Sequence, residues 1–299
     1  MMPFQGKIWY WVEDSYGAGE SGTTYPVSSY VQSVRIGTGD KGKDLRSIHS
    51  ATVINRVQQT NEPVISVEYN PQVGDTLIEH VVERSSCCTL KSLAFCVGAN
   101  TCVNDGDDAS WFYVVGTKGS SIKISSSKNE PYTVSVDFEA KSITTGEVGS
   151  EPSALTGDIL QFNVAGSISK AGGHVVDGSK IAYITESIDI TIDNQLTSYT
   201  DHDSLVKSYL IEGTMDVSGT VDISLDNGGA LHMGEVLDFE NFSITVNMGG
   251  AGAPQLTFSS CYWDKSEIDV NVSGEAMMEN APFTHVSGES TCSGIVGTV

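Results

Sequence analysis

A period of two recurs along almost the whole chain. Apolar or β-branched residues alternate with polar ones at 29–36, 63–69, 89–97, 111–115, 121–126 and 132–139. The pattern resumes at 160–164, 181–193, 207–212, 216–225, 242–248, 255–260 and 267–272. Successive side chains of a strand point to opposite faces, so such runs read as strands with one buried face. Turn residues divide them, among them Asp226-Asn227-Gly228 and Ala251-Gly252-Ala253-Pro254. Helical periodicity is scarce. Leu77, Ile78, Val81 and Val82 predict a helix over 74–85, and a shorter one is expected over 201–209. The expected class is all-β, at most β-rich α+β with one or two short flanking helices.

Hydrophobic residues make up 39% of the 299, enough for a core and too many for a disordered chain. Lys and Arg number 16 against 38 Asp and Glu, a net charge of −22. A protein that grips nucleic acid needs a basic surface, so this balance excludes one and leaves open one that repels phosphate. No apolar run approaches a membrane span, so no membrane partner is expected. The N-terminal stretch lacks the basic and apolar regions of a signal peptide, which predicts synthesis in the cytoplasm.

The two halves share an order of motifs. Residues 92–98 match 187–193, and Tyr113-Val-Val-Gly116-Thr117 matches Tyr209-Leu-Ile-Glu-Gly213-Thr214. Residues 121–125 then match 220–224, and 132–136 match 242–246. This predicts a duplicated β unit, 1–150 with an N-terminal arm and 151–299 with a C-terminal extension, divided near 146–156.

The hydrolase and zinc-protease signatures are absent: there is no G-x-S-x-G or H-E-x-x-H. Gly37-Thr-Gly-Asp-Lys-Gly42-Lys43-Asp44 approaches a phosphate-binding loop. Asp44 stands where that loop needs Ser or Thr for Mg²⁺, and a helix must follow. A mobile, solvated loop is expected instead. The acidic clusters 104–108 and 201–203 lack the spacing of a calcium loop and read as solvated turns. Cys87, Cys88, Cys96 and Cys102 form a local group without standard zinc-ligand spacing, and Ala94-Phe-Cys96-Val reads as a strand interior. No enzyme activity, metal or cofactor is expected.

With these motifs in view, the chain resembles the tail tube proteins of long-tailed phages and related head-tail viruses. In the first half the likeness rests on Ile65-Ser-Val-Glu-Tyr-Asn-Pro-Gln-Val73, the strand 90–98, Tyr113 through Ser125, and Val134 through Lys141. In the second it rests on Glu186 through Leu196 and Ile211 through Leu225. Together these span roughly 60–280; residues 1–28 and 281–299 match nothing in the family. The resemblance implies a structural virion protein with a duplicated tail-tube-type β-barrel or sandwich. Stacked homo-oligomeric rings would form a conduit for genome ejection, assembled in the host cytoplasm. A doubled unit implies a trimeric pseudo-hexamer over a hexamer. Other implied partners are the tape measure, terminator and tail tip proteins, and DNA that passes without specific binding. Wall hairpins would lie at 113–139 and 209–248, with Lys123, Asp137, Ser218, Thr220 and Asp222 facing the lumen. Segments 12–28 and 101–110 would be flexible until assembly. The competing reading is a β-sandwich adhesin or carbohydrate-binding module with Trp9-Tyr10-Trp11 as a sugar platform; a β-rich hydrolase has no motif behind it.

Overall fold

The computed structural model describes residues 5–39, 42–46, 53–58, 61–84, 89–100, 109–147, 149–162, 168–171, 185–224, 241–248, 255–265, 267–269, 278–286 and 295–298. The first half holds β1 (Gln5–Val12), β2 (Thr24–Pro26), β3 (Tyr30–Gly37), β4 (Gly42–Arg46), β5 (Val53–Gln58) and β6 (Val64–Asn70). The helix α1 (Leu77–Val82) follows, then β7 (Leu93–Asn100), β8 (Ala109–Ser127), β9 (Thr133–Glu139) and β10 (Ser142–Thr145). The second half holds β11 (Ile168–Ala171), β12 (Thr185–Asp193), β13 (Thr197–Thr200), β14 (Lys207–Ile211), β15 (Asp216–Ser224), β16 (Phe242–Asn247), β17 (Gln255–Trp263), β18 (Glu267–Asp269), β19 (Met278–His285) and β20 (Ile295–Thr298). The expected all-β class holds.

One long strand organises the molecule. β8 runs through the two strands expected at 111–115 and 121–126 and belongs to two sheets. Its first part pairs with β7 on one edge and β10 on the other, and β7–β1–β2 completes a narrow sheet. Its second part pairs with β9 and β12 in a wide sheet. The bend between them falls at Gly116, whose φ is +65° and where a Cβ would sit 2.6 Å from Lys141 Cβ. Only glycine adopts that backbone there without strain.

The wide sheet runs β3–β6–β9–β8–β12–β15–β19–β17–β16–β11, every pairing antiparallel, so both halves contribute to one surface. Among the described residues no ladder joins its two ends, so the chain is an open sandwich and closes no barrel of its own. The matched motifs do not have matching neighbours. β7 lies in the narrow sheet and its counterpart β12 in the wide one. β9 pairs with β8, while β16 pairs with β11 and β17.

The narrow sheet packs face to face on the first half of the wide one. Phe95 meets Phe138 edge-on at 4.9 Å, and Tyr10, Val114, Ile65, Val67, Val134 and Val136 are buried around them. The same apolar cluster extends under the second half through Ile188, Ile190, Ile192, Val217, Val221, Phe258 and Phe283. Gly219 lies among these residues because Phe283 covers it. A Cβ there would stand 2.6 Å from that ring and 2.7 Å from the Asp189 carbonyl oxygen. Gly219→Ala is therefore expected to cost about 1–3 kcal/mol, read as a lower urea midpoint. An unchanged midpoint would show that the ring moves aside freely.

Local expectations fare unevenly. The helix over 74–85 contracts to Leu77–Val82, between Gly74 at φ +88° and the extended Glu83. The helix expected over 201–209 is absent: Ser204 closes a turn onto Asp201, and β14 begins at Lys207 to pair with β13. Of the strand expected at 160–164, residues 160–162 form only an isolated bridge, Gln161 to Pro131; 163–164 lie outside the described residues. The segment 12–28 is built into the fold rather than free. It contains β2, and Glu13 anchors it to Ser92, just before β7, and to Gly116 in β8. Segment 101–110 lies outside the described residues except for the start of β8.

Candidate functional site: the polar face of the wide sheet

The face of the wide sheet turned away from the core is made of small polar side chains in register. One rung reads Arg35, Ser66, Asp137, Ser121, Asp193 and Asp216 across six strands. The next reads Ser33, Glu68, Ser135, Lys123, Thr191, Ser218 and Thr284. A third runs Thr133, Ser125, Asp189, Thr220 and Pro282, and a fourth Ser127, Ser187, Asp222 and Asn280. The cause is the period of two: Val134, Val136, Ile122, Ile124, Ile190 and Val217 point into the core, so their neighbours point out.

All five residues expected to share a surface, Lys123, Asp137, Ser218, Thr220 and Asp222, lie on this face. They come from three strands of both halves. Lys123 is not a free cation, because its ammonium pairs with Asp189 at 3.0 Å across the β8–β12 ladder. Asp137 accepts from Ser66 Oγ at 2.5 Å. Asp222 accepts from Ser187 Oγ at 2.5 Å and Asn280 Nδ2 at 2.8 Å. These rungs hold six carboxylates, on Glu68, Asp137, Asp189, Asp193, Asp216 and Asp222, against Arg35 and Lys123. The four rungs are hydroxyl-rich and net negative, a surface that repels phosphate, and their aromatic neighbours, Tyr30 opposite Asn70 and Tyr262 opposite Thr284, stand at its margins.

Below the rung that ends at Asp216, the chain between β12 and β15 folds over as the β13–β14 hairpin and docks on the first half. Lys118, in β8, donates to Glu212 Oε1 at 2.5 Å and to the Leu210 carbonyl at 3.1 Å. Lys207 pairs with Glu139 at 2.7 Å. Asn194 donates to the Gly119 carbonyl and accepts from Arg84. The hairpin's outer side presents Tyr199 opposite Tyr209, and Ile211 opposite Thr197, with Leu205 in its turn. These make four of the seven markedly exposed large hydrophobic residues among those described.

Other candidate residues fall elsewhere. Trp9 and Trp11 are 1% and 0% exposed, in a cluster with Ala94, Cys96, Trp111 and Tyr113 on the outer side of the narrow sheet, and Tyr10 is in the core. They offer no sugar platform. The loop after β3 leads into strand β4 and not into a helix, so the glycines of 37–42 cradle no phosphate. Cys96 is buried between tryptophans; Cys87, Cys88 and Cys102 lie outside the described residues, as does the cluster 104–108. Asp201 and Asp203 flank an exposed turn in which His202 Nδ1 lies 3.3 Å from Asp203. Among the described residues no group of three or more His, Cys, Asp or Glu is placed to hold a metal ion. No described helix is long and apolar enough to cross a membrane.

The class these features define is an open all-β sandwich whose widest sheet exposes an acidic, hydroxyl-rich face. No protein-family model matches the chain, and no curated protein matches it. Among solved structures it is similar to a chain in the cryo-EM structure of the anti-feeding prophage baseplate, 6-fold symmetrised. The similarity is 9% in identity over 44% of this chain and 90% of that one, with a TM-score of 0.30, too low to establish a shared fold.

Proposed function

We propose that this chain is a structural virion protein, a tail tube subunit without enzymatic role, whose wide sheet lines a conduit for DNA. The observation that supports this reading most is the wide sheet itself. Its polar face is continuous across both halves, and its lateral strands, β3 and β11, each pair on one edge only among the described residues. Open antiparallel edges invite pairing with another copy, and ring closure removes them. The apolar outer side of the β13–β14 hairpin lies beyond the ends of the strands, where a stacked ring would cover it.

The strand count favours three copies. At about 4.8 Å between strands tilted near 40°, a ten-strand sheet spans roughly 60 Å of circumference. One copy closed on itself would enclose a bore no wider than a double helix before side chains are counted. Three copies give about 60 Å across the backbone and six about 120 Å, on the same spacing. A trimeric pseudo-hexamer is the compact solution. In the virion such rings would join tape measure, terminator and tail tip proteins, after assembly in the host cytoplasm.

Negative-stain microscopy of the purified protein tests the reading: stacked rings with threefold class averages are expected, and persistently monomeric particles would sink it. The lumen assignment has its own test. Asp137→Lys combined with Asp222→Lys should leave rings assembled but make them retain duplex DNA in a salt-dependent way, because each added cation can hold a phosphate. Wild-type rings should retain none. If the double variant forms rings that ignore DNA at low salt, this face does not line the bore.

A further inference from the structure

Beneath α1 lies a buried polar cluster that neither the wall nor its edges explain. Asp75 is 0% exposed. One of its oxygens, Oδ1, accepts the Leu77 N–H at 2.9 Å and so caps the helix; the other, Oδ2, has no hydrogen-bond partner. The buried Tyr69 hydroxyl, on β6, has none either. His80, one turn along α1, sits with its Nδ1 3.1 Å from the Tyr10 hydroxyl, which also lies 2.8 Å from Thr76 Oγ1. Its ring packs edge-on against Tyr10 and Tyr25. The remaining charges that act on the cluster are Glu79 and Glu83, and Lys91 beyond the helix.

At zero exposure a carboxylate whose second oxygen accepts nothing costs far more than the neutral carboxyl, because an unpaired charge is more expensive to bury than an unpaired dipole. Tyr10 can give its hydroxyl hydrogen to His80 Nδ1 only if the imidazole is neutral there, with Thr76 donating to Tyr10 in turn. We propose that Asp75 and His80 are both uncharged in the native protein, and that releasing α1 ionises both at once, so that the helix is held by a latch that conserves protons. On opening, the carboxyl loses a proton to water and the imidazole gains one. Opposite pKa shifts agree with this geometry. Burial pushes Asp75 up to about 7 despite the Leu77 N–H, and burial, with Lys91 adding to it, pushes His80 down to about 4.

The signs are opposed. A carboxyl whose folded pKa is raised gives stability that is full below its unfolded pKa near 3.8 and is lost as pH rises to about 7. An imidazole whose folded pKa is depressed gives stability that is full above 6.5 and is lost as pH falls towards about 4. In the window they share, the two slopes cancel.

Hydrogen exchange at the α1 amides between pH 5 and about 6.5, corrected for the intrinsic rate, tests the latch on the full chain. The wild-type opening constant should stay within about threefold across that window. In Asp75→Asn it should fall about tenfold per pH unit as pH rises, and in His80→Gln it should rise about tenfold per unit. Two flat variants, or a wild-type slope as steep as either, would overturn the proposal. A readout that needs no variant to fold is infrared difference spectroscopy of the wild type. A carboxylic C=O band present at pH 6 and bleached by about pH 9 is expected, and its absence at pH 6 would show Asp75 ionised.

Discussion

Lys118→Met is expected to lower the stability of the unassembled chain by about 3–5 kcal/mol, among the largest effects of any single substitution in this protein. The ammonium lies at the bend of β8 with its side chain 10% exposed, and Glu212 opposite it is 7% exposed. Removing the cation leaves the Glu212 carboxylate buried with the Leu90 N–H, at 3.0 Å, and the field of the Arg84 guanidinium to compensate it. The Leu210 carbonyl loses its donor as well. Glu212→Gln should cost less, because an amide oxygen still accepts from Leu90 while the ammonium keeps Leu210 and the Tyr16 ring, whose centroid is 5.5 Å away. The double variant Lys118→Met with Glu212→Leu should recover part of the loss, since no charge then remains buried. Urea unfolding of all three variants checks this. Single-variant losses below about 1 kcal/mol would mean that water reaches the pair, as it does at exposed ion pairs. The consequence reaches beyond stability, because this pair pins the β13–β14 hairpin to the first half and so sets where its exposed tyrosines stand.

Much of the wide sheet was legible in the sequence because strand alternation is a local signal. Val217, Val221, Ile122, Ile124, Val134 and Val136 were assignable to the core, and Ser218, Thr220, Asp222, Lys123 and Asp137 to the opposite face, without knowing which strands pair. Pairing was not legible. The motifs at 132–136 and 242–246 look alike, yet β9 lies against β8 and β16 against β17, since neighbours are chosen by long-range packing that composition does not encode. The single strand β8 read as two because Gly116 interrupts the alternation, and a glycine that bends a strand looks the same as one that ends it. Residues 201–209 suggested a helix on spacing alone; the acidic turn and the cross-strand pair Tyr199–Tyr209 decided otherwise. Trp9-Tyr10-Trp11 gave the most misleading signal. Three aromatic residues in a row suggest a ligand platform, and here both faces of a strand are covered. Trp111 and Tyr113 pack on the two tryptophans, and the loop that brings Glu20 beside Trp11 and Gly149 is anchored by Glu13, which no sequence pattern announces.

Glu13→Gln should cost about 3 kcal/mol, although it alters one atom. The side chain is 7% exposed and acts only as an acceptor. Oε1 takes the N–H groups of Gly19 at 2.9 Å and Gly116 at 3.1 Å. Oε2 takes the N–H of Gly17 at 2.9 Å and the hydroxyl of Ser92. An amide must place its NH₂ where one of these oxygens stands, and either way it then faces a backbone N–H that cannot turn away. Gly17 and Gly19 have φ of +72° and +83°, so the donors are aimed by a left-handed backbone that only glycine adopts readily. Ser92→Ala removes one donor and leaves the carboxylate with three, so about 1 kcal/mol is expected there. The loop held this way carries Glu20, which with the ring of Trp11 lies against Gly149. Its release should wet Trp9 and Trp11, so the Gln variant should show red-shifted tryptophan emission and faster cleavage within 14–18 before global unfolding. If the variant unfolds at the wild-type urea midpoint with unshifted emission, the carboxylate does not anchor the loop, and the packing of Trp11 against Gly149 must hold it alone.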